Sequence, residues 1–520
     1  MNLERPRSGL GALIGLAALA VFGAAPPASA QIPSLGVTTF QAPPDPRWRE
    51  ITAGDVEAAY RLLRDNDPGA SPELHDLVFQ RRLEDGHRTA LERAGAVTSY
   101  QGYLAVLAGF ANAMGDKHIW SRPTFVVNLP LWVGIIVSKH GDDWIVTDTE
   151  PPQASLKGAS LISCDAIAVE DLARANLGGF RADWSIGAQQ IQNAPWLLVD
   201  EGNPFISRPK TCVFEHGGKR QTVSLDWERI KRENLLPRLH QAIGAGAAGF
   251  GVRPVADGYW ISLQSLMGDQ PPSVVKAVES QKDALREAKF VVLDLRGNGG
   301  GAELPGRRIA VSLFGGEAVN ARLGPEESED SPSCAVPDGL FRTSQDNIDN
   351  LKFVGETFAA KDYPEVKKFI EEERRLVEAA RARGKDLSGD VNCPTPPVPP
   401  PSPTQVSSLM HGRLILLTDN LCFSACLSVV GDFLALGAFQ VGQTTDAATR
   451  FVDVREQYLP SGYSLFSVLQ SVHPEIPYQV GPFTPALTYN GDIADTAALE
   501  KWIVDTAAPK AVGGMTSAAH

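Results

Sequence analysis

In the second half of the chain, short apolar runs are followed by apolar positions at helical spacing, which predicts alternating strands and helices. Residues 414–417 are all apolar, as in a buried parallel strand. Polar residues at 418–420 end this run, and apolar residues then recur at helical spacing through 422–434. A second apolar run at 290–293 leads into a glycine-rich turn at 297–301 and a further predicted helix. Strands that alternate with helices predict a mostly parallel α/β core.

The other segments have different patterns, and together with the core they predict six parts. Apolar residues at helical spacing between 53 and 114 predict helices, whereas residues 129–227 show the alternation and turn residues of β-strands. Residues 321–411 interrupt the core with a charged helix and a proline-rich run, and this insertion is either a lid or rim of a site or a surface excursion. The predicted parts are a signal peptide (1–30), an N-terminal helical region (31–120), a β-rich module (121–230), a core (240–320 and 412–506), the insertion (321–411) and a disordered tail (507–520).

The first 30 residues have the pattern of a secretory signal peptide. Arg5 and Arg7 precede an apolar segment at 10–25, and Ala28-Ser-Ala30 is a small-x-small cleavage pattern. The apolar segment is too short for a transmembrane helix, and no later stretch of the sequence would span a bilayer. We therefore expect an exported, soluble protein, periplasmic or extracellular, whose mature chain is residues 31–520.

The net negative charge of the chain bears on whether it binds nucleic acids. The chain has 48 Lys and Arg residues against 61 Asp and Glu residues, a formal net charge of −13 at pH 7. The predicted signal peptide carries Glu4, Arg5 and Arg7, a net charge of +1, so its removal leaves −14. A chain with this excess of negative charge repels a phosphate backbone, so we predict no nucleic-acid partner.

The number of cysteines indicates disulfide bonds. An even count of six in an exported chain is typical of a disulfide-bonded protein. Cys164 with Cys212 and Cys334 with Cys393 are the simplest pairs, because each pair lies within one predicted segment. No histidine lies close in sequence to a cysteine pair, so we predict no zinc site.

Ser424 lies between Cys422 and Cys426 in the first turn of the helix predicted after residues 414–417. Backbone N–H groups are unpaired at the start of a helix and the helix dipole is positive there, which suits an alkoxide or an oxyanion. An ordinary role as a helix cap is the alternative for this serine. The two cysteines, spaced i and i+4, would either form a disulfide that braces the turn or remain buried thiols.

Taken together, the two strand-to-helix turns resemble one peptidase family. Asp294-Leu-Arg-Gly-Asn-Gly-Gly-Gly301, followed at a distance by Ser424-Ala425, is similar to the C-terminal-processing serine peptidases, which include the tail-specific proteases and the tricorn core. The resemblance covers about residues 250–320 and 412–500 and a short segment near residue 118. It implies a spiral ββα core of the ClpP/crotonase type and no cofactor. It also implies a serine endopeptidase that cleaves protein or peptide substrates through an acyl-enzyme on Ser424.

Residues 121–230 are similar in their order of elements to a PDZ-like module. The usual Gly-Asp-x-Ile-x-x-Ile-Asn-Gly motif is reduced here to Gly158 followed by Leu161-Ile-Ser-Cys-Asp-Ala166. In the family, such modules hold substrate C termini by adding a strand to a sheet edge. The altered motif makes a purely structural role the alternative.

The resemblance implies a histidine as the base that activates Ser424. In the tail-specific branch the base is a lysine, but Ala448 occupies the matching position and no lysine occurs between Ser424 and Lys501. The tricorn-like branch uses a histidine in an Asp-x-His context, which Asp116-Lys-His118 matches. We therefore predict His118 as the general base, with His473 as the fallback.

The resemblance also implies an orienting residue and an oxyanion hole. Glu456 and Asp116 are the candidates for the residue that orients the imidazole. Backbone N–H groups of Gly299 or Gly300 and of Ala425 would stabilise the oxyanion. The charged residues of the glycine-rich motif, Asp294 and Arg296, are expected to hold the turn rather than to contact substrate.

Two other functions remain open at this point. The missing lysine and the altered PDZ motif also fit a secreted binding protein without turnover on a peptidase scaffold, and the family contains retinoid-binding relatives. The same machinery would also serve an esterase or another acyl transferase.

Overall fold

The structure is a computed structural model that describes residues 47–125, 129–245, 248–324, 339–360, 364–393 and 407–508. The chain divides into two compact units. Unit 1 consists of the described parts of residues 1–245, 329–396 and 446–482, and unit 2 of the described parts of residues 246–328, 397–445 and 483–520. The predicted signal peptide and most of the predicted tail lie outside the described residues.

The α-helices of the described ranges are α1 (Trp48–Asn66), α2 (Leu77–Ala94), α3 (Tyr100–Ala113), α4 (Val169–Asn176), α5 (Gly187–Asn193), α6 (Arg232–Ala242), α7 (Gln270–Glu287), α8 (Leu304–Phe314), α9 (Gly316–Leu323), α10 (Gln345–Ala360), α11 (Pro364–Ala382), α12 (Ala425–Ala435) and α13 (Thr496–Thr506). Short 3₁₀ helices occur at Pro68–Ala70, Gln153–Leu156 and Ala194–Trp196. Within these ranges, none of the helices has both the length and the apolar composition needed to cross a membrane.

The strands are β1 (Ser121–Pro123), β2 (Leu131–Trp132), β3 (Ile135–His140), β4 (Asp143–Thr149), β5 (Ser160–Cys164), β6 (Ile167–Ala168), β7 (Val199–Asp200), β8 (Thr211–His216), β9 (Lys219–Ser224), β10 (Glu228–Arg229), β11 (Phe250–Val255), β12 (Gly258–Leu263), β13 (Phe290–Asp294), β14 (Leu340–Phe341), β15 (Arg413–Thr418), β16 (Phe439–Gly442), β17 (Ala448–Thr449), β18 (Phe451–Tyr458), β19 (Ser464–Val472), β20 (Gln479–Val480) and β21 (Leu487–Thr488).

In unit 1, helices α1, α2 and α3 share one apolar core with the sheet formed by β1, β19, β14 and β18. Residues at helical spacing, such as Val56 and Leu63, form the buried face of α1. Ser99 begins α3, because its side-chain oxygen accepts a hydrogen bond from the N–H of Gly102 at 3.1 Å. Gly115 follows the end of α3 with a φ of +70°, a conformation that glycine adopts without steric cost. The chain then turns towards residue 118.

The β-rich part of unit 1 is an antiparallel sheet in the order β3-β4-β5-β8-β9, with β6 beside β5. Trp144 and Phe214 lie in its apolar core. The predicted disulfide between Cys164 and Cys212 is present and joins the neighbouring strands β5 and β8. Strand β3 is buried along five of its six residues, and helical segments, including Ala194–Trp196, pack against it. The predicted β-rich character is thus observed, and the PDZ-like assignment stays a prediction.

Within the predicted insertion, α10 and α11 pack against each other in unit 1. Their contact has a small apolar core: Phe341, Ile348, Leu351, Val354, Ile370 and Val377. Asn347 on α10 accepts a hydrogen bond at 3.0 Å from the guanidinium of Arg455 on β18. This part of the insertion is therefore packed into unit 1. The predicted partner of Cys393, Cys334, lies outside the described residues.

Unit 2 contains a six-stranded sheet in the order β11-β12-β13-β15-β16-β21. The β11–β12 hairpin is antiparallel, and the remaining neighbours pair in parallel. All residues of β13 and five of the six residues of β15 are buried, which explains their unbroken apolar sequences. The predicted α/β class is confirmed, while the spiral ββα arrangement stays a prediction.

Candidate active site

The central strands of unit 2 bring two strand-to-helix turns together. β13 and β15 pair in parallel, with Asp294 opposite Leu417, so their carboxyl ends lie at the same edge of the sheet. We call residues 297–301, after β13, the glycine turn, and residues 419–424, after β15, the serine turn. Side chains and backbone groups at the carboxyl ends of parallel strands are the usual place for a site in such sheets.

Ser424 occupies the last position before α12 and has an uncommon backbone conformation. Its φ is +59° and its ψ is −134°. Such a conformation is strained for a residue with a side chain, and strained positions of this kind cluster at functional sites. A nucleophile on a tight, strained turn between a strand and a helix is also the arrangement by which α/β hydrolases expose their serine. Ser424 is partly exposed.

A disulfide encloses Ser424. Cys422 and Cys426 are bonded to each other, with their Cα atoms 5.5 Å apart, and both are fully buried. This observation decides between the two alternatives that the sequence left open for these cysteines. The bond closes a loop of five residues whose centre is Ser424.

The glycine turn lies directly against Ser424. The N–H of Phe423 donates to the carbonyl oxygen of Asn298 at 3.1 Å. A Cβ atom added at Gly300, whose φ is +99°, would lie only 2.7 Å from the Cβ of Ser424. Only glycine allows so close an approach. The N–H of Gly300 donates to the side-chain oxygen of Asn298 at 3.0 Å, so this side chain shapes the turn from within.

The side chain of Asp419 links the two turns through hydrogen bonds. Its Oδ2 accepts a hydrogen bond from the N–H of Gly297 at 2.8 Å, and its Oδ1 accepts one from the N–H of Leu421 at 3.0 Å. The carboxyl group is fully buried. Burial raises the pKa of Asp419 to about 7, although the two N–H groups lower it. From the sequence, Asp419 was only one of the polar residues that end the apolar run, and its place directly after a buried strand was the available signal.

The charged residues of the glycine-rich motif form a buried ion pair. Arg296 contacts Asp294 at 2.7 Å, and both side chains are almost inaccessible. The guanidinium also donates to the carbonyl oxygen of Ile493 at 2.6 Å, while the indole N–H of Trp260 donates to Asp294 at 3.1 Å. All these partners belong to unit 2, which supports the expected role of the pair in holding the turn.

In unit 1, His118 is held by Asp116 in the loop after α3. Oδ1 of Asp116 accepts hydrogen bonds from the backbone N–H of His118 at 2.7 Å and is 2.8 Å from the ring Nδ1. The hydroxyl of Ser467 on β19 donates to the carbonyl oxygen of His118 at 2.8 Å. The ring and the backbone of this residue are thus both fixed by neighbours in the same unit.

The ionised state of Asp116 determines which ring nitrogen of His118 carries a proton. Burial raises the pKa of Asp116, but the charge and hydrogen bonds of His118 and the hydrogen bond from the Thr449 hydroxyl lower it more, so the pKa is lowered to about 2. Thr449 also donates its N–H to Oδ2 at 3.0 Å. An ionised carboxylate only accepts hydrogen bonds, so Nδ1 carries the proton and the lone pair of the neutral ring is on Nε2.

The loop that carries His118 is also anchored by its other residues. Lys117 forms an ion pair at 2.7 Å with Asp446, whose side chain is fully buried, and donates to Gln192 at 2.7 Å. A cavity of about 270 Å³ in unit 1 is lined by Asp116 and Lys117, among others. Sequence reasoning missed both Asp446 and Thr449, because neither lies near residue 118 in the chain.

The other candidates from the sequence have different surroundings. Glu456 accepts hydrogen bonds from the indole N–H of Trp120 at 2.5 Å and from the guanidinium of Arg122 at 2.6 Å. The ring of His473 is 3.0 Å from the carboxyl of Glu475. Of the two orienting candidates, Asp116 is therefore the one in contact with the His118 ring.

Ala448 forms part of β17, directly before Thr449. The position matched to the lysine of the tail-specific branch is thus a buried alanine next to the residue that binds Asp116.

Across the described ranges, no three His, Cys, Asp or Glu side chains are grouped so that they would hold a metal ion.

Comparisons with known proteins identify the fold. Mature CPAF is 14% identical, with a TM-score of 0.54 over 87% of this chain and 96% of that chain, and its complex with lactacystin gives 15% identity, a TM-score of 0.54 and coverages of 88% and 98%. The photosystem II D1 C-terminal processing protease is 12% identical, with a TM-score of 0.35 over 88% of this chain and 98% of that chain. No protein-family model and no curated protein sequence matches. This chain has the fold of mature CPAF.

We expect Asp419→Asn to remove a pH dependence of stability. The pKa of Asp419 is raised from 3.8 to about 7 in the folded protein. The unfolded chain therefore releases this proton first, so the free energy of unfolding falls as pH rises from about 4 to about 7. One pKa unit corresponds to about 1.4 kcal/mol, so the full effect is on the order of 4 kcal/mol. Denaturant titrations across this range would show the wild type losing stability relative to Asp419→Asn.

A matched control is Asp257→Asn, which changes an exposed carboxyl of unit 2 paired with Lys289. Its stability profile should run parallel to that of the wild type. A constant difference in the free energy of unfolding between wild type and Asp419→Asn from pH 4 to pH 7 would contradict the assignment.

Proposed function

We propose that this chain is an exported serine peptidase that cleaves protein or peptide substrates through an acyl-enzyme on Ser424. The observation that carries the proposal is the strained Ser424 at the start of α12, in contact with the glycine turn in the same unit. The fold of mature CPAF and the resemblance to C-terminal-processing serine peptidases support it.

His118 is the general base in this proposal. The Ser424 hydroxyl attacks the scissile carbonyl carbon while its proton passes to Nε2 of His118, and the imidazolium then protonates the leaving amine. Water hydrolyses the resulting acyl-enzyme with the same base. The hydrogen bond from Nδ1 to Asp116 supports this role, because it fixes the ring and stabilises the imidazolium. The absence of lysine between Ser424 and Lys501 favours a histidine base over a lysine base.

Gly299 and Ala425 supply the oxyanion hole. Both flank the contact between the glycine turn and the serine turn, and each N–H of this kind typically contributes about 3 kcal/mol to transition-state stabilisation. Of the two predicted glycine donors, Gly299 is preferred, since the N–H of Gly300 is directed to Asn298.

The signal-peptide pattern and the disulfides Cys164–Cys212 and Cys422–Cys426 support export. Disulfides such as Cys164–Cys212 form and persist in oxidising compartments and are rare in a reducing cytosol.

Labelling with a fluorophosphonate probe tests the nucleophile. The wild type should be labelled at Ser424, and Ser424→Ala should show no labelling above background, because the probe reacts only with an activated serine. Mass spectrometry of the labelled peptide identifies the modified residue. Peptide and ester substrates are then assayed in parallel.

Three outcomes distinguish the candidate functions. Labelling at Ser424 with peptide hydrolysis supports the proposal, and labelling with hydrolysis of esters alone favours an esterase. Equal labelling of the wild type and Ser424→Ala removes the catalytic role of this serine. In that case, an apolar ligand retained through purification would favour a binding protein.

Asp116→Asn should lower the labelling rate constant on the order of 10⁴-fold, because an amide no longer selects the tautomer with the proton on Nδ1. Glu456→Gln is the matched comparison, since it neutralises the other candidate carboxyl in the same unit. It should leave the rate constant within a small factor of the wild-type value. The opposite ranking of the two variants would assign the orienting role to Glu456.

Expression of the full chain in a bacterial host tests export. Intact-mass measurement of the protein from the periplasm or medium should give a chain that begins at Gln31, because the pattern at 28–30 precedes that residue. Accumulation of the uncleaved chain in the cytosol alone would contradict export.

A further inference from the structure

The disulfide between Cys422 and Cys426 surrounds the proposed nucleophile so closely that it can control the geometry of the nucleophile. We propose that this disulfide is a positioning element for the reaction, which keeps Ser424 in its reactive backbone conformation. This inference rests on the proposed function of Ser424 and adds to it two residues that do not contact the substrate.

The conformation of Ser424 needs such support. A positive φ is unfavourable for serine, and the side chain of Ser424 makes no capping hydrogen bond to the first turn of α12. A backbone without a restraint is expected to relax towards negative φ at this position. The covalent bond between positions 422 and 426 opposes this relaxation from both sides.

Backbone contacts show that the bond acts on the serine turn itself. The N–H of Cys422 donates to the carbonyl oxygen of Asp419 at 3.3 Å, and the N–H of Cys426 donates to that of Phe423 at 3.2 Å. A movement of either cysteine would therefore shift the residues on both sides of Ser424. It would also rotate Ala425, the proposed oxyanion donor that lies between Ser424 and Cys426.

The glycine turn leaves little room for an alternative position. A Cβ added at Gly300 would be 2.7 Å from the Cβ of Ser424 and 3.0 Å from the N of Ala425. The hydrogen bonds between the two turns set this close approach, and the proposed role of the disulfide is to hold the backbone conformation of Ser424 within it.

We expect the Cys422–Cys426 disulfide to contribute less to global stability than the Cys164–Cys212 disulfide. A disulfide restricts the unfolded chain according to the length of the loop it closes, and Cys422 and Cys426 are only four residues apart. Cys164 and Cys212 are 48 residues apart, so their bond restricts the unfolded chain much more. The Cys164–Cys212 disulfide therefore serves as the control, because its expected effect on stability is larger and neither of its cysteines lies in the candidate site.

The experiment compares two double variants, Cys422→Ala/Cys426→Ala and Cys164→Ala/Cys212→Ala, in fluorophosphonate labelling well below their unfolding temperatures. Saturation kinetics separate the rate constant of labelling from the probe concentration that gives half its maximum. We expect the first variant to lose about tenfold or more in the rate constant, with half-saturation within about threefold, because a misplaced nucleophile affects the reaction more than binding. The second variant should show the larger fall in Tm and the wild-type rate constant.

Partial reduction of the wild-type protein provides a test that needs no folded variant. Alkylation with an isotope-coded reagent after graded reduction counts the opened disulfides, peptide by peptide. Labelling is measured on each reduced sample before alkylation, and a parallel portion is alkylated to show which disulfides had opened. Loss of labelling should follow the opening of Cys422–Cys426, and labelling should recover when an unalkylated portion is reoxidised. Loss that follows the opening of Cys164–Cys212 instead would overturn the inference.

Failure of the inference and failure of the proposed function give different results. If the oxidised wild type is labelled no better than Ser424→Ala, the proposed function fails. If the wild type is labelled and Cys422→Ala/Cys426→Ala is labelled at the same rate, the function stands and the positioning role fails. Equal losses in the rate constant for both double variants would show a general effect of stability and would also overturn the positioning role.

Discussion

The hydrogen bonds that continue the pairing of β13 and β15 beyond their ends are the constraint on which the candidate nucleophile depends. The N–H of Leu295 donates to the carbonyl oxygen of Leu417 at 2.9 Å, and the N–H of Gly297 then donates to Asp419. Finally, the N–H of Phe423 donates to the carbonyl oxygen of Asn298 in the glycine turn. The first bond joins the ends of the two strands, and the other two join the glycine turn to the serine turn. The distance between Ser424 and the glycine turn is therefore a consequence of sheet register, which a rigid parallel sheet holds more firmly than an isolated loop would.

The parts of this arrangement that depend on local sequence could be predicted. An unbroken apolar run, a polar break and a helical pattern place Ser424 at a strand-to-helix turn, and a run of glycines shows where a backbone approaches closely. The state of Cys422 and Cys426 could not be decided in the same way. Spacing of i and i+4 brings two side chains together on a regular helix, but α12 begins only at Ala425. The bond spans the turn before the helix, where Ser424 has a positive φ.

The surroundings of His118 depend on contacts that no local pattern reveals. Asp116 precedes it by two residues, so this partner was within reach of sequence reasoning. Thr449, which donates to the same carboxylate, follows Asp116 by 333 residues in the sequence. It belongs to β17, which pairs with β20. Glu456 was a reasonable orienting candidate by residue type. The register of β18 on β19 and of β1 on β19 instead brings it to Trp120 and its neighbours, and such a register is set by the whole sheet.

Two buried aspartates illustrate that the polar partners of a carboxyl group decide whether the effect of burial on its pKa is overcome. Asp116 and Asp419 are both almost inaccessible, yet the pKa of the first is about 2 and that of the second is about 7. Asp116 faces an imidazole that can become positive, and a hydroxyl also donates to it. Asp419 has two backbone N–H groups and lies near the negative charge of Asp294. A carboxylate with a low pKa suits the stabilisation of a transient imidazolium, because it stays ionised at neutral pH. At Asp419, the two N–H groups only partly offset burial. Moderate acidity would therefore protonate the link between the two turns of unit 2 well before it protonates the partner of His118.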